Sequence, residues 1–279
     1  MDLNNYHTHT NFCDGSDDPE KYVLEAINKG FKSLGFSAHA PVPFETTWSI
    51  KKENLESYCK TIEYLKEKYS DQIKIFLSME IDYIPEITAG FEELVSEYKL
   101  EYTIGSIHFV KNKDNKELWF IDGPEKGYIN GLKTVFDNNI QIAVETYYKQ
   151  ICEMTKTQKP DIIGHLDKIK MNNKNRFFRE EEDWYKNAIG NTLKFIASTK
   201  SIVEINTRGI YKHKTNSLFP SIPVIEQCFN LKIPVTINSD THEPGELTNY
   251  FDEARLILKD IGYKKISYLT ADGWKNQDI

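Results

Sequence analysis

Seven short runs rich in β-branched and aromatic residues, at 3–8, 33–38, 73–80, 102–107, 161–164, 201–206 and 233–239, alternate with longer stretches of helical periodicity. This alternation is the pattern of parallel strands joined by crossover helices, and it restricts the chain to the α/β class. Between the runs, Leu55, Tyr58, Ile62, Leu65 and Tyr69 recur at three- and four-residue spacing, as do Ile189, Leu193 and Ile196. Both sets predict amphipathic helices lying on a sheet. Asp17-Asp18-Pro19 predicts the start of another helix over 20–29, with proline in its first turn. At 279 residues, with no repeat, low-complexity tract or linker, the chain fits one barrel-sized domain spanning 1–279.

Composition narrows the function. Hydrophobic residues make up 39% of the chain, enough for a large core, yet no segment nears the ~20 consecutive apolar residues of a membrane span. The first residues, Met1-Asp-Leu-Asn-Asn-Tyr, lead into a strand without a basic or apolar leader, so the expected location is the cytoplasm, with no membrane partner. Cys13, Cys59, Cys152 and Cys228 are widely spaced and form no CxxC pair, which fits a reducing compartment. Cys59 and Cys152 fall in helical patterns and read as core. A formal net charge of −7 argues against an extended nucleic-acid grip.

The ends of the apolar runs carry the chemistry. Six of the seven histidines sit there, joined by three acids: His7, His9, Asp14, His39, Glu80, His108, His165, Asp240 and His242. A carboxylate or imidazole at the mouth of a buried strand is costly unless paired, and divalent ions pair all nine most economically. His7-Thr8-His9 puts two imidazoles on one side of a strand end, because side chains alternate with period two. Asp240-Thr241-His242 repeats the arrangement at the last run. In a barrel the strand C-termini open onto one face, so donors over two hundred positions apart converge. Nine donors suit two or three ions. A lone histidine is more often a core or surface residue, but that reading must hold six times over. His213, among lysines and after no apolar run, reads as surface. Cys13 lies nearby, but Asp14 beside it is the harder, oxygen-donating ligand.

The HTH ending at His9, with Asp14, His39, Glu80, the SIH ending at His108, the GH at His165 and the SDTH ending at His242, resembles the polymerase and histidinol phosphatase (PHP) superfamily. More narrowly, it is similar to the monofunctional histidinol-phosphatases of that superfamily. The likeness runs from Leu3 to about Leu269. It implies a distorted, TIM-like barrel of seven βα units with a trinuclear site at the C-terminal strand ends. By the same resemblance, His7, His9, Glu80 and Asp240 hold one ion; Glu80 bridges to a second held by His108 and His165; Asp14, His39 and His242 hold the third. Some relatives carry histidine at the Asp14 position, which leaves zinc, manganese and iron open. The implied reaction is hydrolysis of L-histidinol phosphate by a metal-activated hydroxide, in histidine biosynthesis, with Glu80, Asp240 and Arg208 as catalytic residues.

A phosphate dianion also requires fixed cations. Arg208, after the sixth run, is the expected clamp, with Arg176 and Lys170 behind it. Two long loops, 41–52 and 110–126, are expected to shape the binding site, and 171–183 is either a third lid or a solvated connection. From the loops, Glu45, Trp48, Phe109, Trp119 and Asp122 are candidates for the amine and imidazole of a small phosphate ester. Two other readings stay open: a phosphoesterase acting on nucleic-acid ends, and a metal-binding module without catalysis. Closed structural zinc sites usually employ cysteines, which disfavours the latter. Oligomeric state is not legible.

Overall fold

The computed structural model describes residues 2–279. Chain order is β1 (Leu3–Asn5), α1 (Pro19–Asn28), β2 (Phe31–His39), α2 (Leu55–Lys68), β3 (Lys74–Asp82), α3 (Phe91–Tyr98), β4 (Tyr102–Ser106), β5 (Phe109–Lys111), β6 (Leu118–Phe120), α4 (Glu125–Phe136) and α5 (Ile140–Thr157). There follow β7 (Ile162–Ile163), α6 (Asp183–Ile196), β8 (Ile202–Asn206), α7 (Arg208–Tyr211), α8 (Ile222–Asn230), β9 (Val235–Asn238), α9 (Phe251–Ile261), β10 (Lys265–Thr270) and β11 (Gly273–Asp278). Among the described residues no helix is long and apolar enough to cross a membrane.

The seven apolar runs are the seven strands of one parallel sheet, in the order β1-β2-β3-β4-β7-β8-β9. The sheet curls until its two edges meet. Beyond β1 and β9, Thr8 bridges Thr241 in parallel fashion, with His9 N donating to Thr241 O at 2.8 Å and Thr241 N to His7 O at 3.1 Å. Below that bridge, side chains replace the backbone ladder: Tyr6 N donates to Asn238 Oδ1 at 2.8 Å, and Asn5 Nδ2 donates to Ser239 Oγ at 2.7 Å. The product is a nearly closed, distorted TIM-like barrel wrapped by helices.

The predicted helices cover the outside. In α2 the residues that turn inward are Leu55, Tyr58, Ile62 and Leu65, and Tyr58 also donates its hydroxyl to Ser78 O of β3. In α6 they include Ile189, Leu193 and Ile196. Helix α1 begins with Asp18 as its cap residue and Pro19 in its first turn, where the missing N–H has no intrahelical partner to lose. Inside, Tyr6, Phe76, Tyr102, Ile104 and Ile162 form a second apolar cluster that Leu269 of β10 completes. Trp274 of β11 packs edge-on against Tyr6 at 5.3 Å and donates to Asp161 Oδ1 at 3.2 Å.

Two hairpins were not anticipated. β10 and β11 pair antiparallel beneath the barrel. β5 and β6 pair within the expected loop 110–126, and strands of three residues are too short for a period-two pattern to register.

Candidate metal centre

All nine sequence-singled residues converge at the C-terminal mouth of the barrel, as the strand arrangement requires. His7 and His9 follow β1, His39 ends β2, Glu80 lies near the end of β3, His108 follows β4, His165 follows β7, and Asp240 and His242 follow β9. Asp14 comes from the turn after β1. Asp240 adopts φ of 51°, a left-handed conformation that L side chains other than Asn and Asp seldom take, held here by the surrounding seam.

Glu80 is the hub. Its Oε2 lies 3.3 Å from His7 Nε2, 3.5 Å from His9 Nε2 and 2.9 Å from His39 Nδ1. Its Oε1 lies 2.9 Å from His165 Nε2 and accepts from Ser106 Oγ at 2.6 Å. The carboxylate thus faces two groups of imidazoles with its two oxygens, the disposition of a bridging ligand. Asp240 Oδ1 is 3.4 Å from His9 Nε2 and 3.7 Å from His7 Nε2, and Asp14 Oδ2 is 3.2 Å from His242 Nε2.

These residues fit divalent ions. Nε2 of His7, Nε2 of His9 and Nδ1 of His39 are buried without a hydrogen-bond partner, a costly state that a cation would relieve. Donor atoms of His9, Asp14, His39 and His242 lie within 4.8 Å of one another, as do those of His7, His9 and Asp240, and those of His39, Glu80 and His108. His108 Nε2 and His165 Nε2 are 3.2 Å apart, close to the ~3.4 Å separating two nitrogens on one tetrahedral zinc. His9 and His39 each fall in two groups, whereas the resemblance assigned each to a single ion.

Three of the imidazoles are held from behind through their other nitrogen, whereas His165 Nδ1 is buried without a partner. His108 Nδ1 faces Asp82 Oδ1 at 3.0 Å, His7 Nδ1 faces Glu204 Oε1 at 2.6 Å, and His242 Nδ1 donates to Asp240 O at 3.1 Å. Such partners fix which ring nitrogen stays free to coordinate. Cys13 does not join the donor groups; its Sγ lies 3.5 Å from His9 Nδ1, behind the ring.

The field is polarised. Burial opposes ionisation of Glu80, but the imidazoles of His39, His7 and His108 outweigh it and hold its carboxyl well below the usual range. Asp240 is likewise buried yet held low, by His7, His9, Arg208 and Lys168. Burial disfavours charge on His39, but Glu80 and Asp14 push it up to about 9. His9 goes well below its ordinary value, through burial and the neighbouring His242 and His39.

Above the acids opens a cavity of about 240 Å³ whose lining includes Trp48, Phe120, Asp122, Lys168, Arg208 and Lys214. Arg208 enters it, with Nη1 donating to Asp240 O at 2.8 Å. Lys168 pairs with Asp122 Oδ2 at 2.8 Å, and Asp122 Oδ1 is buried with no partner. Trp48 and Phe120 face each other with planes 3° apart and centroids 6.3 Å apart.

Several candidates lie elsewhere. Trp119 is fully buried and donates Nε1 to Tyr128 O, anchoring β6 to α4; its neighbour Phe120, on the opposite face of the strand, takes the wall position. Phe109 sits one layer back, stacked on Phe120 at 4.8 Å. Lys170 turns away to Asp167 Oδ2 at 2.6 Å while Lys168 turns in, because the two share a 3₁₀ turn that sends them to different sides. Arg176 is solvent-exposed beside Glu125, and Glu45 is exposed on its loop. Neither lines the cavity. The 171–183 segment is a connection anchored by Asn172, which donates to Ile121 O and Gly123 O, and by Phe178, buried against Tyr185, while Lys174, Asn175, Arg176, Arg179, Glu181 and Asp183 are solvent-exposed. His213 is exposed.

Residues 5–208 match the PHP domain. This chain belongs to the PHP domain family. The PHP match takes in the first seven of the nine clustered residues and Arg208. Over 256 residues the chain is 27% identical to the histidinol-phosphatase of Bacillus subtilis, covering 86% of this chain and 94% of that protein. Among solved structures, a Listeria monocytogenes protein described as a histidinol phosphatase superposes with a TM-score of 0.78 at 22% identity, over 90% of this chain and 99% of that one. Histidinol phosphate phosphatase from Lactococcus lactis, complexed with zinc, L-histidinol and phosphate, superposes with a TM-score of 0.70 at 19% identity, over 98% of both chains. At these identities the two structures bear on the PHP barrel fold.

Proposed function

We propose that this protein is a metal-dependent phosphomonoesterase that hydrolyses L-histidinol phosphate to L-histidinol and phosphate. The observation that carries the reading is the two-sided cavity: a floor of buried imidazoles and acids under a wall bearing Arg208, Lys168 and Lys214. Near-full-length relatives named histidinol-phosphatase support the substrate.

On this reading two or three divalent ions, zinc first among zinc, manganese and iron, are held by His7, His9, Asp14, His39, Glu80, His108, His165, Asp240 and His242. Such ions lower the pKa of a water toward neutrality and neutralise phosphoryl charge. The chain's own residues do the rest. Arg208 offers the remaining phosphoryl oxygens a planar fork, and Lys168 and Lys214 add point charges. The unpartnered Asp122 Oδ1 accepts from the substrate ammonium, and Trp48 and Phe120 flank its imidazole. A cavity of about 240 Å³ suits one small ester better than a polymer, and the net charge of −7 repels nucleic acid. In this proposal residues 1–279 form one catalytic domain that works in the cytoplasm.

The test is phosphate release from L-histidinol phosphate, its loss on chelation and its return with zinc. Unchanged turnover after chelation, or a preference for single-stranded DNA ends over small monoesters, overturns it.

A further inference from the structure

Glu204 lies in the middle of β8, fully buried, and stands outside the nine clustered donors. Burying a carboxylate within a strand is costly unless every lone pair finds a donor. Here each does. Oε1 accepts from His7 Nδ1 at 2.6 Å and from Asn238 Nδ2 at 3.0 Å, while Oε2 accepts from the backbone N of His165 at 2.8 Å and from Asn206 Nδ2 at 3.0 Å. An ionised carboxylate offers about four acceptor positions. All are filled by N–H groups from four neighbouring strand ends, those of β1, β7, β8 and β9.

Two consequences follow from the geometry. With no proton to give, Glu204 makes His7 Nδ1 the donor, so His7 Nε2 points bare toward Glu80 Oε2 and Asp240 Oδ1, at 3.3 and 3.7 Å. Asn206 Nδ2, held on Glu204, also reaches Asp240 Oδ2 at 3.2 Å, leaving Asp240 Oδ1 to face His7 and His9. One carboxylate therefore orients His7 directly, His165 through its backbone and Asp240 through Asn206.

We propose that Glu204 is the positioning residue of the metal centre, the buried anion that sets the His7 tautomer and aims three of the ligands at their ions. The proposal rests on the ligand assignment under Proposed function. Glutamine has Glu204's shape but only one acceptor oxygen, and its NH2 meets two N–H groups head-on. E204Q should bind zinc about 10–100-fold more weakly at one class of site, the range found when partners behind metal ligands are altered. The remaining zinc should bind as in wild type.

The experiment is chelator competition on the full-length zinc-loaded protein, alongside ¹⁵N spectra of its histidine side chains and melting of the metal-free form. Weakened zinc binding, a lost Nδ1–H signal for His7 and a metal-free melting point within a few degrees of wild type are expected. Wild-type zinc affinity with the His7 signal intact in a folded E204Q overturns the proposal. Should E204Q not fold, E204D keeps the charge one methylene shorter; weaker zinc binding there supports the proposal and unchanged binding overturns it. H7A separates the two readings. If H7A loses zinc while E204Q does not, only the positioning role fails; if H7A keeps all its zinc, the ligand assignment fails first.

Discussion

Replacing Glu80 with glutamine is the sharpest perturbation the geometry offers. The side chain keeps its volume but loses one acceptor oxygen and its charge, in a place where Oε2 faces three imidazole nitrogens within 3.5 Å and Oε1 faces a fourth at 2.9 Å. Altering a group behind a ligand costs about 10–100-fold in metal affinity. A ligand shared by two ions should cost at least the upper figure for each, about 10⁴-fold together, or roughly 5.5 kcal/mol at 1.4 kcal/mol per decade. We expect kcat/KM for L-histidinol phosphate to fall about 10³- to 10⁴-fold. The metal-free fold should suffer less. The imidazoles around Glu80 can shed protons instead of remaining as orphaned charges, so the cost there is about 1–3 kcal/mol. The assay pairs elemental analysis of the purified variant with steady-state phosphate release. Wild-type metal content and wild-type kcat/KM in E80Q would refute the bridging role and the ligand map built on it.

Arg208→Ala should raise KM about 10- to 100-fold, the worth of a charge-assisted hydrogen bond, and weaken inhibition by inorganic phosphate in parallel; unchanged constants would remove Arg208 from the clamp. Trp48→Ala and Phe120→Ala should each raise KM about 2- to 10-fold for histidinol phosphate but not for a phosphate ester lacking a ring, and equal effects on both esters would count against an aromatic wall. His39 is pushed up to about 9 when folded without metal, against an ordinary 6.5. Its contribution to metal-free stability is therefore full below pH 6.5 and is lost as pH rises through about 9, while zinc uptake releases protons and tightens over the same window; melting curves and calorimetry in two buffers check both signs. Chelation should lower the Tm by on the order of 10 °C, from about 4 kcal/mol per ion at a thousandfold excess over Kd, and an unmoved Tm would mean the ions do not bind the native state preferentially.

The strands were legible because each is an apolar run ended by an ionisable side chain, a signal that survives even in β7, which is two residues long. The clustering of the nine residues followed from the same pattern, since parallel strands deliver their ends to one face. What sequence could not resolve was orientation inside short elements. Trp119 and Phe120 are adjacent in β6 and equally aromatic, and only the pairing with β5 decides which one faces α4 and which the cavity. Lys168 and Lys170 pose the same problem in a 3₁₀ turn, where residues two apart leave the axis about 120° from one another. Glu204 was missed for a different reason. Acids at the run ends stand out in the sequence, whereas Val-Glu-Ile-Asn carries its acid inside a run, where a buried carboxylate is itself a sign that partners await it. Asn206 and Asn238, polar amides closing two apolar strands, were the visible complement.

Those partners place the closing seam of the barrel and the donor cluster on the same residues. β1 and β9 do not share a regular backbone ladder; they meet through Asn5, Asn238 and Ser239 side chains and one bridge at Thr8 and Thr241. On that seam sit His7 and His9 from one edge and Asp240 and His242 from the other, with Glu204 tying His7 to Asn238 beneath them. A seam with few backbone hydrogen bonds is the part of a sheet expected to open first. Ions shared by His7, His9 and Asp240 would cross-link its two edges, so metal binding free energy enters as stability of the closed barrel. Without ions the same seam gathers unpartnered imidazole nitrogens beside acids, the groups that gain most from a cation and lose most from its absence. The candidate metal centre therefore straddles the junction of the barrel that lacks a regular backbone ladder, where bound ions would hold the two edges together.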